Sequence, residues 1–120
     1  MNNYIKDGKT RTITNSSGTA YVAGQVVVVG KQLAVCCVDI ANSASGEAMF
    51  EGEFEVPKVS AAVIAHGEMV MWDASAAAFD DSLATPATGD VTNAAIAAEA
   101  SGATVTSFRI QLANRLGTVA

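Results

Sequence analysis

The chain has 120 residues and a net charge of −5, with seven basic side chains and a hydrophobic share of 50%. This length is typical of one domain with one core. An acidic chain with so few basic residues is a poor nucleic-acid binder, because phosphate contacts need clustered Lys and Arg. Its apolar runs are far shorter than the roughly 20 residues that span a bilayer. Its first residues lack the apolar segment of a secretory signal, so we expect synthesis in the cytoplasm without secretion.

The charge is divided unevenly along the chain. Residues 1–11 carry a net charge of +2, whereas residues 12–120 carry −7. One interpretation is a loose terminus, which is common. The other is a basic arm that docks on an acidic partner, since opposite charges steer and orient contacts. The predicted division is an N-terminal arm over residues 1–20 and a single β-rich domain over residues 21–120.

The first half of the predicted domain has strand patterns. Residues 25–29 are a β-branched run that fits a strand buried on both faces. Gly30-Lys31 interrupts the run and apolar residues 33–38 follow, which is the pattern of a hairpin. Residues 47–56 alternate between apolar and polar, which predicts one half-buried strand. Pro57 ends that strand, because proline cannot continue a central ladder.

Strand patterns continue to the C-terminus. Residues 68–73 predict a strand, residues 76–89 a loop with a short strand, and residues 104–112 an alternating closing strand. Residues 59–66 fit a short helix or an extended linker, and the alanine-rich residues 91–100 combine helix propensity with poor alternation. Short strands separated by turns favour a mainly β fold. We expect a small antiparallel β-barrel or sandwich with an extended N-terminal arm and at most short helices.

Residues with reactive side chains are isolated from one another along the sequence. Residues 8–10 (Gly-Lys-Thr) are similar to the end of a phosphate-binding loop, but Asn3 stands where that loop needs glycine. Cys36 and Cys37 are adjacent in a predicted strand, so their thiols diverge, and we interpret both as core residues. His66 is the single histidine and precedes a turn glycine. No catalytic residue, metal site or cofactor is therefore predicted.

One face of the predicted strand over residues 47–56 is acidic. It carries Glu51, Glu53 and Glu55. Two such carboxylates could serve as a general acid and its partner, but three on alternate residues more often keep a sheet face hydrated and discourage edge pairing. Trp72 is expected in the core.

The order of several motifs is more specific than any one of them. These are Gly24-x-Val26-Val27-x-Val29-Gly30, Leu33-Ala34-Val35, Asp39-Ile40-Ala41, Gly46-Glu47, Gly52-x-Phe54-x-x-Pro57-Lys58, Gly67-x-x-Val70-x-Trp72-Asp73 and Gly89-Asp90. From about Tyr4 to Leu112, this order resembles a family of small capsid decoration, or cement, proteins of tailed bacteriophages and prophages. The chain departs from the family at residues 94–97 (Ala-Ala-Ile-Ala), where a Gly-Val/Ile-Ala entry into the penultimate strand is expected.

The resemblance implies a structural, non-enzymatic protein without a cofactor. Proteins of this family are small β-rich subunits, often trimers, that bind the outer capsid surface at three-fold positions and stabilise it against internal DNA pressure. The implied partner is the major capsid protein, the implied assembly is a homotrimer, and the implied location is the virion. Together with the charge division, the resemblance gives the hypothesis that the arm contacts the capsid. Its candidate contact residues are Tyr4, Ile5, Lys6, Lys9 and Arg11.

A lipoyl-like swinging-arm carrier domain is the alternative. Residues 24–35 are similar to the first half of its flattened barrel. The modified lysine of a carrier should then follow at a hairpin tip, where this chain has Asp39-Ile40-Ala41-Asn42. A carbohydrate-binding module would need an exposed aromatic platform, and only 6% of the residues are aromatic.

Overall fold

Ten β-strands make up the described part of the fold. The computed structural model describes residues 9–82 and 84–120, and within them the chain forms no helix. In chain order the strands are β1 (Thr10–Thr14), β2 (Val26–Val29), β3 (Gln32–Cys36), β4 (Ser45–Met49), β5 (Glu51–Pro57), β6 (Met69–Asp73), β7 (Ala78–Asp80), β8 (Val91–Ala97), β9 (Ser107–Ala113) and β10 (Thr118–Val119). The mainly β fold predicted from the sequence is confirmed.

The strands form two antiparallel sheets. The first has the order β1-β4-β3-β2, and the second has the order β5-β9-β8-β6-β7, with β10 beside the first residues of β8. One face of the first sheet contributes Val26, Leu33 and Val35 to the main core, which it shares with the second sheet. The opposite face forms a smaller core that includes Val27 and Ala34.

The β2–β3 hairpin turns at Gly30-Lys31, as predicted. Gly30 has a φ of 62°, a left-handed conformation that glycine adopts without a side-chain clash. Val26 and Val27 point to opposite faces of the sheet and both are buried. The expectation of a strand covered on both sides is therefore confirmed for the first half of β2, whereas Val28 is exposed and Val29 is half-buried.

Residues 47–56 were expected to form one strand, but the structure divides them between two. β4 lies in the first sheet and β5 lies in the second. Between them, the Phe50 N–H donates to the Lys9 carbonyl at 2.7 Å, and the Phe50 carbonyl accepts from the Asn114 N–H at 2.9 Å. Lys9 precedes β1 and Asn114 follows β9, so the chain crosses from one sheet to the other at Phe50. The prediction of a single strand is wrong.

The alanine-rich segment forms β8 rather than a helix. β8 pairs with β6 on one side and with β9 on the other, so neighbouring strands supply its backbone hydrogen bonds. Ala94, Ala95 and Ala97 are buried there. Asn93 has a φ of 65°, which makes the strand irregular. The contacts of β8 with its neighbours thus override the helix propensity of alanine, and the departure from the family pattern at residues 94–97 lies within this strand.

The closing strand over residues 104–112 is confirmed as β9. Its alternation buries Phe108, Ile110 and Leu112 and exposes the residues between them. β9 lies between β5 and β8 in the second sheet. The buried residues of β9 are therefore central to the main core.

The second sheet closes at one end. Its two edge strands meet where Lys58 forms a parallel bridge with Phe79, and the Val59 N–H donates to the Phe79 carbonyl at 2.9 Å. The Phe79 ring packs edge-on against Trp72 and Phe108, with centroid distances of 5.0 and 6.2 Å. Trp72 is therefore a core residue, as predicted.

The predicted arm contains strand β1. Residues 10–14 pair with β4 along their whole length, and Ile13 is buried. The described part of the arm, residues 9–20, is therefore tied to the first sheet. Tyr4, Ile5 and Lys6 lie outside the described residues, and the division at residue 20 stays a prediction.

Lys58 is buried at the junction of β5 and β7, with 4% of its surface exposed. Its ammonium group donates hydrogen bonds to the carbonyls of Val59 at 2.8 Å, Ser60 at 3.4 Å and Ala62 at 2.5 Å. A buried cation needs such partners, because burial removes its contacts with water. These bonds hold the start of residues 59–66, a segment that contains turns and no helix.

Lys58→Met should lower the free energy of unfolding by about 1–3 kcal/mol, because buried carbonyl groups lose their donor. Urea denaturation of the purified protein measures this change. The matched control is Lys31→Met at the exposed hairpin turn, which should change stability by less than about 0.5 kcal/mol. Equal stabilities of the two variants would contradict the role assigned to Lys58.

Gly117 lies where the C-terminal segment packs against β8. A Cβ atom at this position would lie 2.6 Å from the Thr92 carbonyl oxygen and 2.8 Å from side-chain atoms of Val91 and Ala94. The Gly117 N–H also donates to the Lys31 carbonyl at 2.7 Å. There is thus no room for a side chain beside the β8 backbone.

Gly117→Ala should destabilise the protein by about 1–3 kcal/mol through this overpacking. Gly102→Ala is the control, because no atom lies within 4 Å of a Cβ placed there. Thermal unfolding of both variants distinguishes a steric effect from a general effect of replacing glycine. A Gly117→Ala protein as stable as Gly102→Ala would show that β10 can move aside without loss.

Candidate functional site

The first sheet leaves a cleft between its two edge strands. β1 and β2 each pair with one neighbouring strand, and residues from both line a common cavity of about 410 Å³. We call this cavity the β1–β2 cleft. The smaller core reaches it through Ile13, Tyr21, Val29 and Phe50, which form an apolar floor.

On the β1 side, backbone groups without a partner strand among the described residues face the cleft. The Phe50 N–H donates to the Lys9 carbonyl, which fixes the phase of the ladder between β1 and β4. In an antiparallel ladder, alternate residues turn their N–H and C=O groups to the partner strand, and the residues between them turn these groups away. Thr12 and Thr14 are residues of the second kind. Their backbone groups therefore lie on the free edge.

The β2 side of the cleft has the same property. The Cys36 N–H donates to the Gln25 carbonyl at 2.9 Å, which fixes the phase of the ladder between β2 and β3. By the same alternation, the backbone groups of Val28 face away from β3, and Gly30 lies in the turn beyond the last pair of the ladder. Both residues line the cleft, so two free strand edges face one cavity.

Arg11 reaches the cleft with one hydrogen-bond donor unused. Its guanidinium carbon lies 3.7 Å from the centroid of the Phe50 ring, a cation–π distance. Its Nη2 donates to Gln32 Oε1 at 2.5 Å. Its Nε is buried and has no hydrogen-bond partner among the described residues. A buried donor without an acceptor costs about 1–3 kcal/mol, so this position favours an additional acceptor.

The C-terminal segment brings more basic residues to the same place. The Gln32 side-chain amide donates to Asn114 Oδ1 at 2.9 Å. The Gly117 N–H donates to the Lys31 carbonyl at 2.7 Å. Arg115 lies between these two contacts in the chain, so residues 114–117 run beside the β2–β3 turn, and the Arg115 side chain lines a depression next to Ile96, Gln111 and Ala113 of the second sheet.

Four of the seven basic residues in the sequence thus lie on chain segments that these contacts join. They are Lys9, Arg11, Lys31 and Arg115, and we call them the basic corner. Three of them are exposed and Arg11 is half-buried. Lys9 Nζ lies 4.0 Å from Glu51 Oε2, and both side chains are largely exposed. A surface pair of this kind contributes little to stability, and Glu51 offsets one of the four positive charges of the basic corner.

The structure describes two of the five candidate contact residues. Lys9 and Arg11 lie together in the basic corner. The other three candidates precede the described residues, and the contact role of all five stays a prediction. Sequence reasoning missed Lys31 and Arg115. The available signal was that Lys31 lies in a predicted hairpin turn and Arg115 lies three residues after the predicted closing strand, but this does not indicate which strand ends meet.

One cysteine is buried, and the other cysteine and the histidine are exposed. Cys36 is buried and Cys37 is exposed, so the thiols diverge as predicted. The interpretation of Cys37 as a core residue is wrong, because β3 ends at Cys36 and the chain turns there. His66 is exposed in a turn, as predicted. In residues 9–82 and 84–120, no group of three or more His, Cys, Asp or Glu side chains could hold a metal ion.

The described segments also include no helix that could cross a membrane.

The acidic strand β5 is an edge strand, and the residues on its free side oppose pairing with another strand. The Lys58 N–H donates to the Thr106 carbonyl at 2.8 Å, which fixes the phase of the β5–β9 ladder. The alternate residues of β5 therefore turn their backbone groups to the free edge. They are Glu51, Glu53, Glu55 and Pro57. Charged residues and a proline at an edge oppose pairing with another sheet, and Pro57 fits because its nitrogen has no partner there.

Two aspartates of the sequence motifs stabilise turns by accepting hydrogen bonds. Asp90 is buried, and its carboxylate accepts from the N–H groups of Ala74 at 3.0 Å and Ala87 at 2.9 Å. Asp73 accepts from the Ser75 hydroxyl at 2.8 Å, and this bond is the largest cause of a lowered pKa of the Asp73 carboxyl. These motif residues therefore stabilise the fold.

Glu68 connects two loops. Its carboxylate accepts from the Ala65 N–H at 2.9 Å, and from the Ser82 N–H at 2.8 Å and hydroxyl at 2.9 Å. The bond from Ala65 is the largest cause that lowers the pKa of the Glu68 carboxyl. The bonds from Ser82 act in the same direction, and burial acts against them.

A surface with a basic cleft between free strand edges is suited to binding another macromolecule. The family model described as phage cement protein matches residues 5–112. The match covers most of the chain, so the chain belongs to the phage cement protein family, which is structural and not enzymatic. No curated protein and no solved structure gave a significant match. The family match confirms the resemblance carried by the motifs and gives no support to the carrier-domain alternative.

The pKa of Glu68 makes stability depend on pH. A carboxyl whose pKa is lower in the folded state contributes stability above its ordinary pKa of about 4.3 and loses it as the pH falls through the folded value. Glu68→Gln should therefore be less stable than wild type at pH 7 and should lose less stability between about pH 5 and pH 3. Thermal unfolding at these pH values measures the difference.

The control for this experiment is Glu53→Gln, which changes an exposed carboxylate of β5. Its pH profile should follow that of wild type. An equal acid-induced loss in wild type and Glu68→Gln would exclude Glu68 as a source of the pH dependence.

Proposed function

We propose that this protein binds the outer surface of a viral capsid through the basic corner and stabilises the capsid. Membership of the phage cement protein family supports a structural role in the virion. The observation that carries the proposal is that four of seven basic residues lie on segments joined by the Gln32–Asn114 and Gly117–Lys31 bonds, in a chain whose net charge is −5. Such a concentration steers an acidic surface of the major capsid protein toward one side of the molecule and fixes its orientation.

Tyr4, Ile5 and Lys6 extend the proposed contact. Only two residues separate Lys6 from Lys9, so the two side chains start within about 11 Å of each other even in an extended chain. In the proposal, Tyr4 and Ile5 add apolar area to a contact that the basic residues orient. In the proposal, Glu53 and Glu55 of β5 face away from the capsid, whereas Glu51 lies beside Lys9 in the basic corner.

The proposal includes a homotrimer on the virion. Most homo-oligomers close by symmetry, and a trimer matches a three-fold position on the capsid. Once the basic corner of one subunit is bound, those of the other subunits bind the same capsid at a high effective concentration. Modest contacts by the single subunits therefore give high occupancy of the capsid. The protein is made in the cytoplasm of the host of a phage or prophage and reaches the capsid there.

The charge of the basic corner should control capsid binding. The combined variant Lys9→Gln, Lys31→Gln and Arg115→Gln should bind at least about tenfold more weakly, because each exposed charge contributes about 0.2–1 kcal/mol and avidity multiplies the loss. Cosedimentation with undecorated capsids of the cognate major capsid protein measures binding. Heating capsids with and without the protein measures stabilisation.

The matched comparison for this experiment is Arg115→Gln against Arg109→Gln. Both remove one exposed arginine, and Arg109 pairs with Glu99 at 3.2 Å outside the basic corner. Arg115→Gln should weaken binding more than Arg109→Gln. Equal effects would show that net charge, rather than the basic corner, drives the contact.

Removal of residues 2–8 tests the arm separately. The fold should persist, because β1 begins at Thr10. A deletion that continues to residue 11 would also remove the Arg11 contact with Phe50 and cut into β1. An unchanged unfolding temperature with unchanged capsid occupancy would exclude Tyr4, Ile5 and Lys6 from the contact.

A further inference from the structure

The two sheets differ at their edges. β5 and β7 of the second sheet meet at the bridge between Lys58 and Phe79, whereas β1 and β2 of the first sheet face each other across the β1–β2 cleft. We propose that the cleft receives an extended segment of the capsid protein as an additional strand between β1 and β2. The inference rests on the proposed function and names the part of the protein that holds the partner.

Both sides of the cleft supply backbone partners for such a strand. The N–H and C=O groups of Thr12 and Thr14 face it from β1, and those of Val28 face it from β2. The inserted segment can therefore form two ladders at once, which is strand addition at a sheet edge. β1 and β2 run in opposite directions, so the segment is antiparallel to one and parallel to the other.

The length of β1 sets the length of the segment. Its five residues span about 17 Å at roughly 3.3 Å per residue. About five extended residues of the partner therefore fill the cleft.

The side chains of the cleft specify the chemistry of this segment. The floor formed by Ile13, Val29 and Phe50 favours apolar side chains on the residues that face it, since burial removes apolar area from water. Arg11 Nε, which is buried without a partner, favours a carboxylate at its end of the cleft. The expected occupant is an extended segment in which apolar residues alternate and an Asp or Glu lies against Arg11.

Two segments of the chain itself fit less well. β5 is acidic, but all seven of its residues already pair with β9, and Pro57 lies on its free edge. Residues 1–8 have no net side-chain charge, because Lys6 offsets Asp7, so the basic corner attracts them less than a segment with net negative charge. A lone segment of the partner brings no attached sheet and can enter between two strand edges.

Hydrogen exchange of the full chain, free and bound to undecorated capsids, tests the inference. The amides of Thr12, Thr14 and Val28 should exchange quickly in the free protein and at least about tenfold more slowly on the capsid. The amides of Glu53 and Glu55, on the free edge of β5, should exchange quickly in both states.

Each other outcome has a distinct meaning. Capsid binding without slower exchange at the cleft edges overturns the cleft inference and leaves the proposed function standing. Absence of capsid binding overturns both. Slow exchange at the cleft edges already in the free protein also overturns the inference. Residues 1–8 then fill the cleft if dilution has no effect, and a second copy fills it if dilution speeds exchange.

Thr12→Pro removes one amide from the cleft edge without removing a bond to β4. It should weaken capsid binding at least about tenfold, because proline cannot donate to an added strand. The matched control is Glu55→Pro, which makes the same change on the free edge of β5 and should bind within about twofold of wild type. Equal binding by the two variants overturns the inference.

Arg11→Lys is the second variant for this test if the Thr12→Pro protein does not fold. It keeps the positive charge and removes the Nε donor and the planar guanidinium. Binding several-fold weaker than wild type supports a carboxylate at Arg11. Binding equal to wild type overturns the contact between Arg11 and a carboxylate, because the positive charge alone then accounts for the binding.

Discussion

The Arg11 guanidinium lies 3.7 Å above the Phe50 ring, at the point where β1, the crossing between the sheets and the C-terminal segment converge. Phe50 is almost completely buried and holds Lys9 and Asn114 through its backbone. Arg11 in turn bonds to Gln32, which bonds to Asn114. The cleft, the basic corner and the path of the chain from one sheet to the other therefore depend on the same packing.

Alternation of backbone direction along an antiparallel ladder explains features that look unrelated. On β5 it places Pro57 and three glutamates at the free edge, where a missing donor costs nothing and charge opposes pairing. On β1 and β2 it places threonine and valine at the free edges, and neither residue type carries a charge that opposes pairing there. One edge of the molecule is thus closed to further strands, and two edges that share a cavity remain open.

The sequence predicts those parts of the fold that depend on local pattern. The β2–β3 hairpin and β9 follow from runs of apolar residues, because burial repeats every second residue. The division of residues 47–56 into two strands at Phe50 cannot be predicted from this pattern, since residues 48–56 keep the same alternation while the chain changes sheets. The strand β8 does not follow either, because alanine fits many environments and its neighbours decide its structure. The basic corner depends on a bond between Gln32 and Asn114, which are 82 residues apart, and spacing in sequence carries no sign of it.

Burial also decides where a label or a surface linker can be attached. The ammonium of Lys58 is enclosed, so among the described lysines an amine-reactive reagent reaches Lys9 and Lys31. Cys37 is exposed, whereas burial raises the pKa of the Cys36 thiol and the neighbouring Cys37 raises it further. A thiol with a raised pKa forms less thiolate and reacts more slowly. Maleimide attachment therefore selects Cys37 and leaves the lysines unmodified, whereas amine coupling would immobilise the molecule by two groups of the basic corner.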